Sequence, residues 1–599
     1  MPASLARLLV LGACLVASPG SAVAHDTQPA QGGATGSDAA EDLPRLAAVG
    51  ERCGGDPIDP DKVFEGTFAS SIQGSYVMVP FDVPKGTDAV RVKYCFDQPE
   101  RDTPLTGHTL DLGLWDARQG GRSWTARDFR GWGGSSHPDV TVSPRGFSKA
   151  KRYLEDPKGD VPGRTTRGFI PGRLPAGKWA VELGAASIIP RSQGDQDGTV
   201  AWRVEVDLIR DRSLRKRPYR PARYDSRPAQ RKAGWYAGDL HVHGEHSALG
   251  DATMREVFDY AFEPISDGGA GLDFITLSDY VTDSAWGEIG RYQGDYPGKL
   301  IDRSSEVITY RGHIGNHASE RYVDHRTGPV LKRQRDGSLR SLRGSRPASS
   351  VFAKIRSAGG FTQINHPTIF PNAIPTFGNL CRGCSWDYSA AQTNYAKVDA
   401  IEIATGPPGL RTPLEIGPNP FTLTALDFYE QALSNGHRIA AVGVSDSHLA
   451  GRTRDPVTQA PVGTATTVLH AKELSERGIA EAIRAGHTYV KVFGNVGPDL
   501  RFDAKADGSG ERAIMGDRLR AREAGFRARV IGADPALDLF KPGPYVLQVL
   551  RNGALHQIAP ITARDQTVDF RSSGPGRYQL QLMRGTGVAA ISSPIYLQP

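Results

Sequence analysis

The chain has 599 residues, 39% hydrophobic and 23% charged, which admits several globular domains with sizeable cores. Its net charge of +6 is local: between Arg210 and Lys232 ten Lys/Arg face two Asp, an excess of eight, so the remainder is close to neutral. That distribution argues against a basic nucleic-acid-binding protein and leaves one patch able to meet phosphate or an anionic surface.

Arg7 precedes the apolar run Leu8 to Ala17, and Ala22-Val23-Ala24 follows before His25. This is the form of a secretory signal peptide cleaved after Ala24 and predicts a secreted or periplasmic protein. Leu11-Gly12-Ala13-Cys14 has the spelling of a lipoprotein box, but the apolar stretch before Cys14 is very short. No later stretch approaches the roughly 20 apolar residues of a membrane helix. Residues 25–50, rich in Ala, Gly, Asp and Gln without periodicity, are expected to be a disordered linker.

Residues 51–209 read as short alternating strands separated by Gly/Pro turns, for example Gly74-Ser-Tyr-Val-Met-Val-Pro-Phe and Val200-Ala-Trp-Arg-Val-Glu-Val. The pattern predicts a β-sandwich whose aromatics form its core or stack on a sugar. Residues 210–233, rich in Arg and Pro, are expected to be a linker or strap. Four cysteines follow the signal peptide. Cys53 and Cys95 are candidates for a disulfide, and Cys381-Arg-Gly-Cys384, which lacks a second ligand pair for zinc, favours a loop disulfide.

From 234 to 494 strand and helix patterns alternate. Helices are expected over Thr253 to Ile265, Ser349 to Ala358, Leu423 to Asn435 with Thr422 as N-cap, and Glu473 to Ala485. Strands are expected at Leu272-Asp-Phe-Ile-Thr-Leu, Phe361-Thr-Gln-Ile, Val398-Asp-Ala-Ile-Glu-Ile and Arg438-Ile-Ala-Ala-Val-Gly-Val. Such βα units predict a parallel α/β barrel or doubly wound sheet with chemistry at the carboxyl ends of its strands. Residues 495–599 return to strands and predict a small C-terminal β-domain.

Ligand-type residues gather at those strand ends. Asp239-Leu-His241-Val-His243 sets two imidazoles on one face of an extended chain, where both can serve one divalent ion. Asp279 follows Phe274-Ile-Thr-Leu-Ser, Glu306 lies in Ser304-Ser-Glu-Val-Ile-Thr, and His313 closes Arg311-Gly-His. Asn365-His366-Pro367 follows a strand, and Gly443-Val-Ser-Asp446-Ser-His448 ends another. Arg311 and Arg452, beside these residues, are candidates to clamp an anionic substrate, or ordinary solvated arginines.

This ordered series resembles the PHP (polymerase and histidinol phosphatase) superfamily, and more narrowly its secreted CehA/McbA-like hydrolases, over about Gly234 to Gly494. The resemblance implies a central distorted (β/α)7 barrel, flanked here by the N-terminal β-sandwich and the C-terminal β-domain. It implies up to three divalent ions at the barrel mouth. His241, His243, Glu306 and Asp446 would hold the first, and Glu306 would bridge to a second with His313 and His366. A third would use His448, but Ala248 and Tyr280 stand where the family has an aspartate and a histidine. The expectation is therefore two ions, zinc, manganese or iron in view of the imidazoles, with Asp279 or His448 as proton donor.

The function so implied is a secreted metal-dependent hydrolase using a metal-activated water, a phosphoesterase first. The alternatives are a carboxyl-ester or carbamate hydrolase, or a degenerate domain that binds envelope or glycan. The expected partner is a small-molecule or phosphoester substrate.

Overall fold

Two sheets built from the alternating N-terminal strands share one core. The first runs in the order Lys62–Ala69, Thr199–Ile209, Ala89–Phe96, Asp139–Val142. The second contains Tyr76–Val83, Gly177–Ser187, Thr109–Trp115 and Phe129–Gly134. Val79, Val92, Leu112, Val181, Trp179 and Trp202 interdigitate between them, so these two indoles are core and not a sugar platform. The computed structural model describes residues 53, 58–99, 107–149, 163–193, 195, 197–374, 377–378, 381–411, 416–452, 460–534, 543–572 and 574–599. The predicted signal peptide and the linker 25–50 lie outside these. Cys53–Cys95 and Cys381–Cys384 are both disulfides. Among the described residues no helix is long and apolar enough to cross a membrane.

The central segment holds strands β1 (Gly234–Val242), β2 (Phe274–Leu277), β3 (Leu300–Val307), β4 (Ile314–His317), β5 (Phe361–Ile364), β6 (Ala400–Thr405), β7 (Ala440–Val444), β8 (Thr466–Ala471) and β9 (Thr488–Lys491). Their order in one sheet is β7-β6-β5-β4-β3-β2-β1-β8-β9. β1, β2 and β3 are mutually parallel, as are β5, β6 and β7. β4 is antiparallel to both β3 and β5, so all six parallel strands point one way and β4 opposes them. This departs from the regular alternation of a (β/α)7 barrel. β3 turns into β4 with no helix between them, and β8 and β9 are antiparallel additions beyond β1.

Helices α1 (Met254–Phe262), α2 (Ala348–Ser357), α3 (Pro420–Ser434) and α4 (Glu476–Ala485) fall near the expected positions. α1 stops at Glu263 because Pro264 disfavours a helical conformation in the residue before it. α3 starts earlier than predicted. Asn419, not Thr422, accepts the first free N–H, from Phe421, and Pro420 occupies the first turn, where its missing N–H costs nothing.

The domains are knitted together. The hairpin Val330–Arg333/Leu339–Arg343, from within the central segment, completes the second N-terminal sheet, with Val330 to Lys332 parallel to Tyr76 to Met78. Strand Gly587–Ser592 extends the central sheet beyond β9. The Arg/Pro-rich stretch is a strap: Tyr219 N donates to Pro144 O at 2.8 Å and its hydroxyl to Glu288 at 2.8 Å, while Ala222 N reaches Gly287 O at 2.7 Å.

Polar groups are buried at the junction. Tyr310 donates to Asp111 at 2.7 Å, His325 meets Glu182 at 2.9 Å, and the Arg326 guanidinium lies 3.6 Å over Trp115. Burial pushes the Asp111 carboxyl up to about 7. The folded chain thus keeps a proton that the unfolded chain releases near its ordinary value of about 3.9, and this group's contribution to stability is lost as pH rises through that window. Asp111→Asn stays neutral and still accepts from Tyr310. Melting temperatures from about pH 4 to about pH 8 should decline less steeply in this variant; parallel profiles would refute the assignment.

Candidate metal centre

The candidate ligands meet because of strand direction. β1 delivers His241 and, just past its end, His243, on one face because side chains alternate along extended backbone. β3 carries Glu306. His366 follows β5 and Asp446 follows β7, at the same edge of the sheet. His313 precedes β4, and since β4 runs backwards its start lies at that edge too. Asp239 fastens the ends of β1 and β7: it accepts from His241 N (3.1 Å), Ser445 N (3.1 Å) and Gly463 N (2.8 Å), and Asp446 N donates to His241 O at 2.9 Å.

Glu306 divides the cluster in two. Its Oε2 faces His241 Nε2 at 3.3 Å and His243 Nε2 at 3.7 Å; its Oε1 faces His366 Nε2 at 3.0 Å and His313 Nδ1 at 3.3 Å. Asp446 Oδ1 lies 3.3 Å from His241 Nε2 and 3.0 Å from His243 Nε2, and those two nitrogens are 3.0 Å apart. All six side chains are buried. Asp446 (φ +53°) and His366 (φ +26°) lie in the left-handed region, where non-glycine residues are strained by about 1–3 kcal/mol and tend to mark functional sites.

The outer contacts determine what the inner atoms offer. A carbonyl only accepts, so at His366 it is Nδ1 that donates to Cys384 O (2.9 Å), which turns Nε2 towards Glu306. His241 Nδ1 is held by Glu402 Oε1 at 2.8 Å, which turns its Nε2 inward. Lone pairs of neutral imidazoles and carboxylate oxygens would then confront one another at about hydrogen-bond distance, which is repulsive unless a cation or a proton lies between. With protons alone, burial opposes a charged His241, but Asp446, Glu306 and Glu402 outweigh it and raise its pKa well above the ordinary value. His366 is raised to about 9 by Glu306 against the same burial penalty. Burial likewise penalises the Glu306 carboxylate, yet His241 and His313 hold its pKa well below the usual range. Burial lowers His243. Glu306 Oε2 has no hydrogen bond among the described residues. The donor set fits divalent cations: His241, His243 and Asp446 form one compact group, and His241, Glu306 and His366 another. Cys384, close to His313 and His366, has its sulfur tied up in the disulfide and offers only its carbonyl.

No protein-family model and no curated protein matches the chain. A solved structure with some similarity is a two-domain protein from Bacteroides vulgatus ATCC 8482 containing a predicted PHP-like metal-dependent phosphoesterase. It aligns at TM-score 0.32 and 15% identity, over 63% of this chain and 99% of that one. The centre therefore stands on its own geometry.

The remaining predicted residues lie around the cluster. Asp279 accepts from Gly244 N at 2.8 Å, and its Oδ2 is buried without a hydrogen bond among the described residues. Burial pushes its carboxyl up to about 7. His448 stacks on His243 with ring centres 4.1 Å apart, but its Nε2 meets the Tyr280 hydroxyl at 3.0 Å and its Nδ1 the Asp446 carbonyl at 3.1 Å. Ala248 is buried against Tyr280 and Trp132. Arg452 pairs with Asp251 at 2.7 Å, and Arg311 donates to Asp387 O and Gln392 at 2.8 and 3.1 Å.

Sequence reasoning missed Glu402. It accepts from His241, from Gln363 Nε2 (2.8 Å), from Thr405 Oγ1 (2.9 Å) and from His366 N (2.7 Å). A lone carboxylate inside the apolar strand β6 was the available signal, because a buried charge needs partners. Glu402→Gln replaces one accepting oxygen with a donor amide and should weaken zinc or manganese binding by about 10–100-fold, read by chelator competition. Unchanged affinity would remove Glu402 from the centre.

Proposed function

We propose that the chain is a secreted metal-dependent hydrolase with phosphoesters as its substrates. The observation that carries this reading is the division of Glu306, one oxygen facing His241 and His243 and the other facing His313 and His366. In this reading His241, His243, Asp446 and Glu306 would hold one divalent ion, and Glu306, His313 and His366 would hold a second. Imidazole-rich ligation favours zinc, manganese or iron. Two such ions, when bound, would lower the pKa of a water and polarise a phosphoryl oxygen.

The chain's own residues supply the rest. Asp279, buried with a carboxyl raised to about 7, is partly protonated near neutrality and hands its proton to the leaving oxygen. Tyr280 occupies His448 Nε2, and this supports a two-ion centre over a three-ion one. The two disulfides suit an oxidising, extracytoplasmic compartment.

Purified protein supplied with manganese or zinc is expected to turn over a phosphodiester or a phosphomonoester in preference to an aryl ester. Glu306→Gln and His366→Ala should each reduce that rate by at least about 100-fold, more than loss of an outer contact does. Turnover of the aryl ester alone would replace this reading with a carboxyl-ester or carbamate hydrolase. Less than one ion per chain, with no turnover, would favour a binding role for the domain.

A further inference from the structure

We propose that a cavity between the N-terminal sheets and the central segment is a binding site for a tetrahedral oxyanion, phosphate or sulfate, recognised by Arg311, Arg346 and Arg382. The cavity has a volume of about 270 Å³ and is completed by Gln73 and Gly74 on the N-terminal side and Tyr388 on the central side. That is slightly below the ~300 Å³ at which ordinary ligand pockets begin, so it suits a small anion or the anionic end of a larger molecule.

The guanidiniums of Arg311 and Arg346 are fastened mainly to groups that accept hydrogen bonds without cancelling charge. Arg311 Nη2 donates to the Asp387 carbonyl at 2.8 Å and to Gln392 at 3.1 Å, and its guanidinium lies 4.8 Å over the Tyr388 ring. Its Nε and Nη1 make no hydrogen bond among the described residues. Arg346 donates to the carbonyls of Asp324 (2.8 Å) and Arg326 (3.0 and 3.2 Å). The nearby Asp324 carboxylate is shared among Arg326 and Arg343, both at 3.0 Å, and Arg346 at 3.8 Å. Arg326 also lies 3.9 Å from Glu182, so two carboxylates serve these three cations. The Asp387 carboxylate acts on Arg382 through its charge and also accepts from Asn372 and Ser385. Burial lowers the pKa of both Arg346 and Arg382, as expected where positive charge is desolvated. Planar guanidinium forks pair with tetrahedral oxyanions through two parallel hydrogen bonds.

The site shares its walls with the metal centre. Arg382 sits in the disulfide loop whose Cys384 carbonyl accepts from His366, and Arg311 is two residues before His313. Gly383 (φ +92°) lets that loop press on the next one, since a Cβ there would lie 2.0 Å from Thr309 O. The inference does not depend on the hydrolase reading, because an anion can occupy this cavity whether or not the centre is catalytic.

Calorimetric titration of inorganic phosphate into the full-length protein tests it. One saturable event is expected to persist in His366→Ala, which disables the metal centre. In the same background Arg311→Gln and Arg382→Gln should each weaken it about tenfold, the loss of one charge-assisted hydrogen bond. Sulfate should compete, and chloride at equal ionic strength should not. Arg311 is exposed, so its variant is expected to melt like the parent and to keep the test valid if Arg382→Gln misfolds. No saturable event in His366→Ala, or an affinity that Arg311→Gln leaves unchanged, would overturn the proposal.

Discussion

A single buried carboxylate bears the strongest constraint in this molecule. Glu306 has imidazoles against both oxygens, and Asn365 Nδ2 also donates to its Oε1 at 2.9 Å. Burying a charge is costly unless opposite charge compensates it. Everything around Glu306 follows from that requirement: Asp239 ties the ends of β1 and β7, Glu402 aims His241, and the Cys384 carbonyl aims His366. The strained backbone at His366 and Asp446 is tolerated because these surroundings over-determine it.

Strand direction is the second constraint. A metal cluster assembled from distant segments needs their ends at one edge of a sheet, and six parallel strands do this without further design. β4 breaks the rule in a useful way: because it opposes its neighbours, the residue before it, His313, meets the residues that follow the other strands. The β3–β4 turn therefore delivers Glu306 and His313 only seven residues apart, where a helical crossover would need a dozen or more.

What was legible in the sequence follows from the same physics. His241, His243, His366 and Asp446 stand at or just past the ends of strand-like runs, and Glu306 closes the polar stretch Asp302-Arg-Ser-Ser-Glu306 before Val307-Ile308. Their convergence could be read from local pattern. For Glu402 the pattern shows only a lone carboxylate inside an apolar strand; its purpose depends on a partner 161 positions away, which no local pattern supplies. The short Ile314–His317 strand carries no alternation, since its buried Asn316 and His317 look like loop residues. The hairpin 330–343 joins a sheet some 250 residues upstream in the chain, and no window of sequence contains both halves of such a pairing. The contact between His448 Nε2 and the Tyr280 hydroxyl could not be read from the motif either, because the two residues lie 168 positions apart.

The N-terminal sandwich also has a different standing from that of a recognition module on a tether. Trp132 approaches the Tyr280 ring edge-on at 6.3 Å, and Ser136 donates to the Ala248 carbonyl at 2.5 Å. Arg167 lies 3.2 Å from Glu245 and 3.0 Å from His246. These contacts fall on the loop that begins at His243 and on the Tyr280–His448 pair, so sandwich side chains seal one flank of the cluster. In a water-poor setting the attraction between carboxylates and cations is much stronger than at a surface. The sandwich thus contributes to the centre's electrostatics without supplying a ligand. By the same reasoning the arginine-lined cavity, which needs Gln73 and Gly74 from the sandwich to close it, exists only because the two parts are packed together.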